Sequence, residues 1–135
     1  MSEQPFEILD EQQCQHLLAS KDIGRIAFSV QGEPEIFPVN YAADGSTVVF
    51  RTGEGTKLQL AVMLRVAFEV DDWDPATGVG WSVVIKGVAE EITSGIDPFA
   101  MALRSRRVVP LAPGVREYWI AVYPGEITGR RFGRV

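Results

Sequence analysis

The chain has 135 residues, of which 46% are hydrophobic and 23% are charged, and we expect one domain that spans residues 1–135 around a single core. Its 13 basic and 18 acidic residues leave a net charge of −5 and a pI near 4.9. This acidic balance argues against nucleic acid or an anionic membrane as a partner.

The first predicted element is a short helix. Asp10 followed three residues later by Gln13 is a capping-box pattern, and the helix is expected to end near Ser20. It carries Cys14 and His16, the only cysteine and the only histidine of the sequence. A single cysteine cannot form an intramolecular disulfide, and neither a four-ligand zinc site nor a Ser-His-Asp triad is easily built from this inventory. We therefore predict no metal site and no catalytic side chain, and we favour a reducing compartment.

The sequence contains no predicted targeting or membrane segment. Its first residues, MSEQPFEILDEQQ, are acidic and do not resemble a signal peptide. No apolar run approaches the roughly 20 residues that a membrane span needs. We expect a cytoplasmic protein.

Short runs that alternate between apolar and polar residues follow the helix and are typical of antiparallel strands. Turn signals at residues 31–32 and 44–45 join the first three runs into a meander, and the stretch DDWDPATGVG at 71–80 is predicted as a loop. Gly87 predicts a bulge or a close backbone approach, and the Pro-Gly pair at 124–125 predicts a final hairpin. The predicted strands are Gly24–Val30, Glu35–Tyr41, Thr47–Arg51, Val66–Asp71, Trp81–Ile92, Tyr118–Tyr123 and Glu126–Phe132.

With helical turns predicted at Pro98–Arg104, these elements indicate a mainly β (α+β) fold. The expected architecture is a small antiparallel β-barrel of six to seven strands with a few short helices.

The segment at 47–64, TVVFRTGEGTKLQLAVML, combines a strand, a glycine-bearing turn and the start of an apolar helix. Arg51 and Lys57 supply charge-assisted donors, Thr52 and Thr56 supply hydroxyls, and the glycines let backbone N–H groups turn towards one point. A helix that begins near Thr56 aims its first N–H groups at the same place. The pattern predicts a phosphate site; an ordinary strand-to-helix connection or a solvated turn is the alternative.

Six segments between about Leu17 and Phe132 carry a family resemblance: IGRIAFSVQGEPEIFPVNY, VVFRTGEGTKL, VAFEVDD, GWSVVIKGVAEEI, VPLAPG and ITGRRF. In this order they resemble the pyridoxamine 5′-phosphate oxidase-like family of flavin-binding split β-barrels. The resemblance is to its short branch, which is related to nitroimidazole reductases.

The resemblance implies a homodimer with FMN bound in the clefts between the subunits. The positions that would hold the FMN phosphate are Arg51, Thr52, Thr56 and Lys57. Pro38, Val39 and Asn40 would run along the flavin ring, with backbone groups at its polar edge. Trp81 and Ser82 would come from the other subunit as an aromatic wall and a hydroxyl.

Structural roles remain open for several of these residues. Pro38 also fits an edge strand, Trp81 fits a core or a dimer interface, and Asn40 fits the end of a hairpin. Arg130 and Arg131 lie in the closing ITGRRF segment and are candidates to reach the site, although short basic runs are often only solvated.

The expected function is that of an FMN-dependent oxidoreductase with an unnamed small-molecule substrate. In such an enzyme the flavin carries the chemistry, which accounts for the lack of a predicted nucleophile or base. The alternatives are a non-enzymatic protein that binds a flavin or the deazaflavin F420, and a barrel that has lost its cofactor. Oxidation of vitamin B6 is not expected, because the chain is short and lacks a recognisable longer C-terminal segment of pyridoxamine phosphate oxidase.

Overall fold

The computed structural model describes residues 6–53, 60–109 and 117–133. Seven strands and two helices lie in these ranges. They are β1 (Phe6–Leu9), α1 (Glu11–Leu18), β2 (Ile23–Val30), β3 (Glu33–Asp44), β4 (Thr47–Gly53), β5 (Arg65–Asp74), β6 (Val79–Glu91), α2 (Pro98–Arg104) and β7 (Glu117–Gly133). Neither of these two helices has the length and apolar character that a membrane crossing requires.

The pairings among the seven described strands are all antiparallel, and the strand order is β1-β7-β4-β3-β2-β5-β6. A further pairing between β6 and β7 closes β2 to β7 into a six-stranded barrel, and β1 extends the sheet beside the end of β7. The predicted fold class, a mainly β antiparallel barrel with a few short helices, is confirmed.

The strand β7 is longer than predicted. Residues 124–125 do not form a hairpin turn, because a single strand runs from Glu117 to Gly133. Lys86 pairs with Glu126 whereas Gly87 pairs with Pro124, so one extra residue on β7 forms a bulge at this point. The predicted final hairpin is therefore wrong: the Pro-Gly pair bends one strand instead of joining two.

The prediction of a bulge or close approach at Gly87 is confirmed. A Cβ atom on Gly87 would lie 1.9 Å from Tyr123 O, so only a glycine allows the two backbones to approach here. Two further differences concern strand limits. The N-terminal strand β1 was not predicted, and the predicted loop at 71–80 is reduced to the turn at residues 75–78 because β5 and β6 extend into it.

The helix predicted after Asp10 and the helical turns predicted at Pro98–Arg104 are both present. Asp10 accepts a hydrogen bond from Gln13 N at 2.8 Å, and Asp10 N donates to Gln13 Oε1 at 2.9 Å, so the capping box that begins α1 is confirmed. Asp97 caps α2 in a similar way by accepting from Ala100 N, and a proline occupies its first turn.

Among the described residues, the buried side chains form three clusters. The largest, the interior cluster, fills the barrel and includes Phe50 and Phe68, both fully buried. A second cluster lies on the outer face of β4 and β7 beneath α2, around Val49 and Leu103, and a third packs α1 against the barrel through Cys14. Burying a side chain of this size stabilises the fold by roughly 1.5–3 kcal/mol relative to leaving it exposed. The buried side chains therefore determine which side of each strand faces outward.

Candidate cofactor site

The predicted phosphate residues begin where β4 ends. Side chains alternate along a strand, and Phe50 belongs to the interior cluster whereas Val49 packs beneath α2. Arg51 therefore leaves the outer face of β4, and Thr52, only 3% exposed, leaves the inner face. The Thr52 hydroxyl donates to Gly53 O across 3.5 Å. One phosphate can meet both side chains only beyond the end of the strand.

Two neighbours among the described residues hold the guanidinium of Arg51. Its Nη1 donates to Val108 O at 2.6 Å, and its Cζ lies 5.1 Å from the ring centroid of Trp119. Trp119 is the cross-strand partner of Arg51 on β7, so the register of the sheet brings cation and ring together. A side chain that is already ordered loses less conformational entropy when it binds an anion.

Asn40 lies next to Arg51 on the outer face, at the point where β3 and β4 stop pairing. Its Nδ2 donates to Val109 O at 2.6 Å. Arg51 and Asn40, both predicted site residues, therefore bind the successive carbonyls of Val108 and Val109. We call residues 108–109 the strap. The strap follows α2, and the buried Val108 side chain anchors it in the α2 cluster.

The structure brings Pro38 and Asn40 to the outer face and turns Val39 inward. Val39 is buried in the interior cluster, and its cross-strand partner on β2 is Gly24. Pro38 is exposed beside Arg25. The Val39 side chain therefore faces away from a ligand outside the barrel.

Trp81 and Ser82 leave β6 on opposite faces. The Trp81 side chain is half-buried against the interior cluster and the α1 cluster, whereas Ser82 faces outward between Asp71 and Arg130. Within one chain these residues are remote from Arg51. The β7 residues that pair with Arg51 and with Ser82, at positions 119 and 130, are eleven residues apart along the strand.

A charged cluster that the sequence analysis missed lies beside Pro38. Arg25 Nη1 is 3.2 Å from Glu69 Oε1 and 3.4 Å from Asp71 Oδ2. Burial raises the pKa of Glu69 to about 7, and the hydrogen bond and charge of Asp71 add to the rise, while Arg25 opposes it. The spacing of two acids on one strand, two residues apart, is the sequence signal that places them on one face.

Asp72, on the other side of this strand, has a different partner. Its Oδ2 lies 2.7 Å from Lys21 Nζ, and the hydrogen bond from Lys21 lowers the Asp72 pKa. The carboxylates of the adjacent acids at 71 and 72 therefore face different partners and do not form one ligand site. In the three described ranges, no three His, Cys, Asp or Glu side chains group as metal ligands.

The remaining predicted residues divide into two groups. Thr56 and Lys57, and with them the predicted start of a helix, lie outside the described residues. Arg130 and Arg131 have local contacts at the other end of the barrel: Arg130 Cζ is 5.1 Å from the ring centroid of Phe6, and Arg131 Nη1 is 3.8 Å from Glu7 Oε2.

Six antiparallel strands, closed by the pairing of β6 with β7, form a small split β-barrel. The Arg51 guanidinium is held at the outer end of β4. The family model described as pyridoxamine 5′-phosphate oxidase matches residues 10–131. The chain belongs to this family.

Several known proteins are similar to it. "Uncharacterized protein Rv0080" of Mycobacterium tuberculosis is 36% identical over 129 residues, which cover 91% of this chain and 83% of that protein. The solved structure of the FAD binding protein from Mycobacterium smegmatis is 39% identical and has a TM-score of 0.79, covering 94% of this chain and 98% of the other. An FAD-binding protein from Mesorhizobium loti, 19% identical over 96% of this chain and 98% of its own, shares the fold with a TM-score of 0.77.

Proposed function

We propose that this chain is a flavin-dependent oxidoreductase that acts on a small molecule and holds the flavin phosphate at the outer end of β4. The observation that carries the proposal is the placement of Arg51. Its guanidinium is oriented by Val108 O and by the Trp119 ring at the end of the strand that precedes the predicted phosphate turn in the sequence. A cation oriented in this way fits a phosphate, which binds guanidinium by charge-assisted hydrogen bonds.

The identity of the flavin is part of the proposal. Sequence analysis favours FMN, whereas the Mycobacterium smegmatis protein, 39% identical, is named as FAD binding. Both flavins contain the same isoalloxazine ring and ribityl phosphate, so the proposed role of Arg51 is the same for each. The FAD-binding relative supports FAD, the larger of the two flavins, as the ligand of the same site.

The residues on the outer face would bind and orient the flavin, which when bound supplies electron and hydride transfer. Arg51 would hold the phosphate with Thr52, Thr56 and Lys57, and backbone groups of Val39 and Asn40 would meet the polar edge of the ring. Asn40 and Arg51 also hold the strap, which covers the outer face next to them. The chain then contributes position and shielding from water rather than a nucleophile or a base.

We further propose that the site is completed by a second copy of the chain. Ser82 is remote from Arg51 within one barrel, so the two can meet one flavin only if they come from different subunits. The outer faces of β2 and β3 expose Ile23 and Ile36 at 51% and 64%, which suits an interface. With its single buried cysteine, the homodimer would act in the cytoplasm.

The test uses the full chain as purified. We expect a yellow protein with flavin absorption bands, and we expect these bands to bleach under anaerobic conditions when NADH or NADPH is added. A yellow protein that neither nicotinamide reduces would contradict the proposed enzyme and leave a flavin carrier. A colourless protein that takes up neither FMN nor FAD would contradict flavin binding itself.

A further inference from the structure

A row of exposed aromatic side chains crosses the outer face at the end of the barrel opposite Arg51. Phe6 on β1 pairs with Phe132 on β7, Phe132 pairs with Gly80 on β6, and Gly80 pairs with Trp73 on β5. Trp73 is 54% exposed, and Phe6 and Phe132 are 37% and 36% exposed. Tryptophan is usually well buried, so one this exposed among other aromatic rings marks a binding surface.

Gly80 is what allows the rings to meet. The rings of Trp73 and Phe132 are nearly parallel, with an interplanar angle of 14° and centroids 6.4 Å apart. A Cβ atom at Gly80 would lie 2.8 Å from the Phe132 ring and 2.9 Å from the Trp73 ring. The missing side chain therefore lets two rings from strands that are not neighbours lean together over β6.

Trp73 also forms one wall of a surface cleft of about 410 Å³, whose other lining residues are Pro75, Ala76, Thr77 and Gly78. Phe132 packs against Trp73 but does not line this cleft. The volume lies within the usual range of small-molecule sites, roughly 300–1,000 Å³. A planar ring that enters the cleft can stack on Trp73, which Phe132 supports.

The turn that forms the other wall is held by its own hydrogen bonds. Asp74 accepts from Ala76 N at 2.9 Å through Oδ1 and from Gly78 N at 2.8 Å through its carbonyl oxygen. Thr77 Oγ1 accepts from Val79 N at 3.3 Å, and its hydroxyl proton remains a donor for the polar edge of a ring.

The charges around the cleft select the kind of ligand. The Asp74 carboxylate at the turn repels a phosphate within the cleft, whereas Arg130 lies on the same face of β7 as Phe132, two residues away. An uncharged planar ring in the cleft, with the phosphate nearest to it directed towards Arg130, suits this arrangement. This is the chemistry of a nucleotide, and aromatic side chains bind bases by stacking.

We propose that the cleft beside Trp73 binds the adenine ring of FAD. The inference rests on the proposed flavin function, and the position of the cleft agrees with it. Ser82, predicted beside the flavin ring, lies two residues from Gly80 on the same face of β6. The adenine half of FAD would then lie on the subunit that supplies Ser82, while the flavin phosphate is held by Arg51 of the other subunit.

The test is a titration of the flavin-free full chain with FAD, FMN and ADP, monitored by calorimetry. The variants are Trp73→Ala and Trp73→Phe, with Phe99→Ala as a matched control. Phe99 is 42% exposed on α2, and its ring contacts Tyr123 instead of the row. We expect Trp73→Ala to weaken FAD and ADP binding about ten-fold or more, because that is the typical effect of losing one base–aromatic stack. FMN binding should not change, and Trp73→Phe should restore most of the FAD affinity.

Equal losses for FAD and FMN, or no loss for FAD, would overturn the inference. The Phe99→Ala variant should match the wild type with all three ligands. If the wild type binds neither flavin, the proposed function fails, and ADP alone then decides about the cleft. ADP binding that disappears in Trp73→Ala supports an adenine site, and a wild type that does not bind ADP overturns it.

Discussion

The guanidinium of Arg51 has two roles: it holds the strap and, as proposed, it binds the flavin phosphate. We expect Arg51→Ala to lower the affinity for FMN and FAD about ten-fold or more, since a hydrogen bond to a charged group contributes roughly 1.5–3 kcal/mol. Lys57→Ala should have a similar effect. The measurement is the dissociation constant of each flavin for the flavin-free chain.

Asn40→Ala separates the two roles of Arg51. It removes the hydrogen bond to Val109 O but leaves the cation in place. We expect its effect on flavin affinity to be clearly smaller than that of Arg51→Ala. Equal effects would mean that the strap, and not the positive charge, accounts for binding.

Glu69 makes the stability of the barrel depend on pH. Its pKa in the folded chain, about 7, is higher than the ordinary value of 4.5, so folding favours the protonated carboxyl. The resulting stabilisation is fully present below pH 4.5 and is lost as the pH rises through about 7. The free energy of unfolding of Glu69→Gln, measured with urea across this range, should therefore fall less with increasing pH than that of the wild type.

Glu126→Gln is the control for this series, because Glu126 is an exposed acid on β7. We expect it to follow the wild-type dependence on pH. A Glu69→Gln variant with the same pH dependence as the wild type would show that the raised pKa has no effect on folding.

The residue roles that could be predicted from the sequence are those that depend on contacts between residues close together in the chain. Asp10 and Gln13 are three residues apart, so a capping box is readable from their spacing. The partners of Arg51 and Asn40 on the strap are 57 and 69 residues away along the chain. No local pattern indicates such contacts, because only the closed barrel brings α2 and the residues after it across β3 and β4.

Among the elements, the bulge between β6 and β7 depends on Gly87. A methyl group there would meet Tyr123 O at 1.9 Å, so we expect Gly87→Ala to destabilise the protein by about 1–3 kcal/mol, as overpacking does. Chemical denaturation measures the change.

Gly125→Ala is a matched control within the same bulge. The nearest atom to a Cβ at Gly125 is Lys86 O at 3.4 Å, and the variant should be only mildly destabilised. Similar losses for the two variants would contradict the assignment of the close contact to Gly87.

The same bulge explains which elements the sequence predicted incorrectly. A Pro-Gly pair between two alternating runs is a normal hairpin signal, and at residues 124–125 it marks a bulge in one strand instead. The direction of β7 is set by its pairing with β6 on one side and with β4 and β1 on the other. These are long-range pairings, and they override the local preference for a turn.

For the whole molecule, we predict a dimer whose interface includes the outer face of β2 and β3. Ile36→Glu should shift the chain towards monomers in analytical ultracentrifugation and reduce flavin binding, because an unpaired charge is costly at a buried interface. Ile96→Glu is the control, since Ile96 is 89% exposed and lies outside the strands. A stable monomer that binds flavin as tightly as the wild type would contradict the shared site.

The barrel itself was predictable from the sequence because strand alternation and the order of six family-like segments both indicate it. The convergence of the predicted site residues was less predictable. Arg51 and Asn40 meet at the strap, whereas Ser82 lies on β6 and pairs with a distant part of β7. Sequence order alone does not tell whether the residues of one site come from one barrel or from two.

The most direct measurement is a fluorescence titration of the flavin-free chain with FAD and with FMN, in parallel with the Arg51→Ala variant. The proposal predicts saturable binding of one flavin per chain, with affinity that falls in the variant. A wild-type chain that binds neither flavin, or a variant that binds both as tightly as the wild type, would contradict a phosphate site at the end of β4.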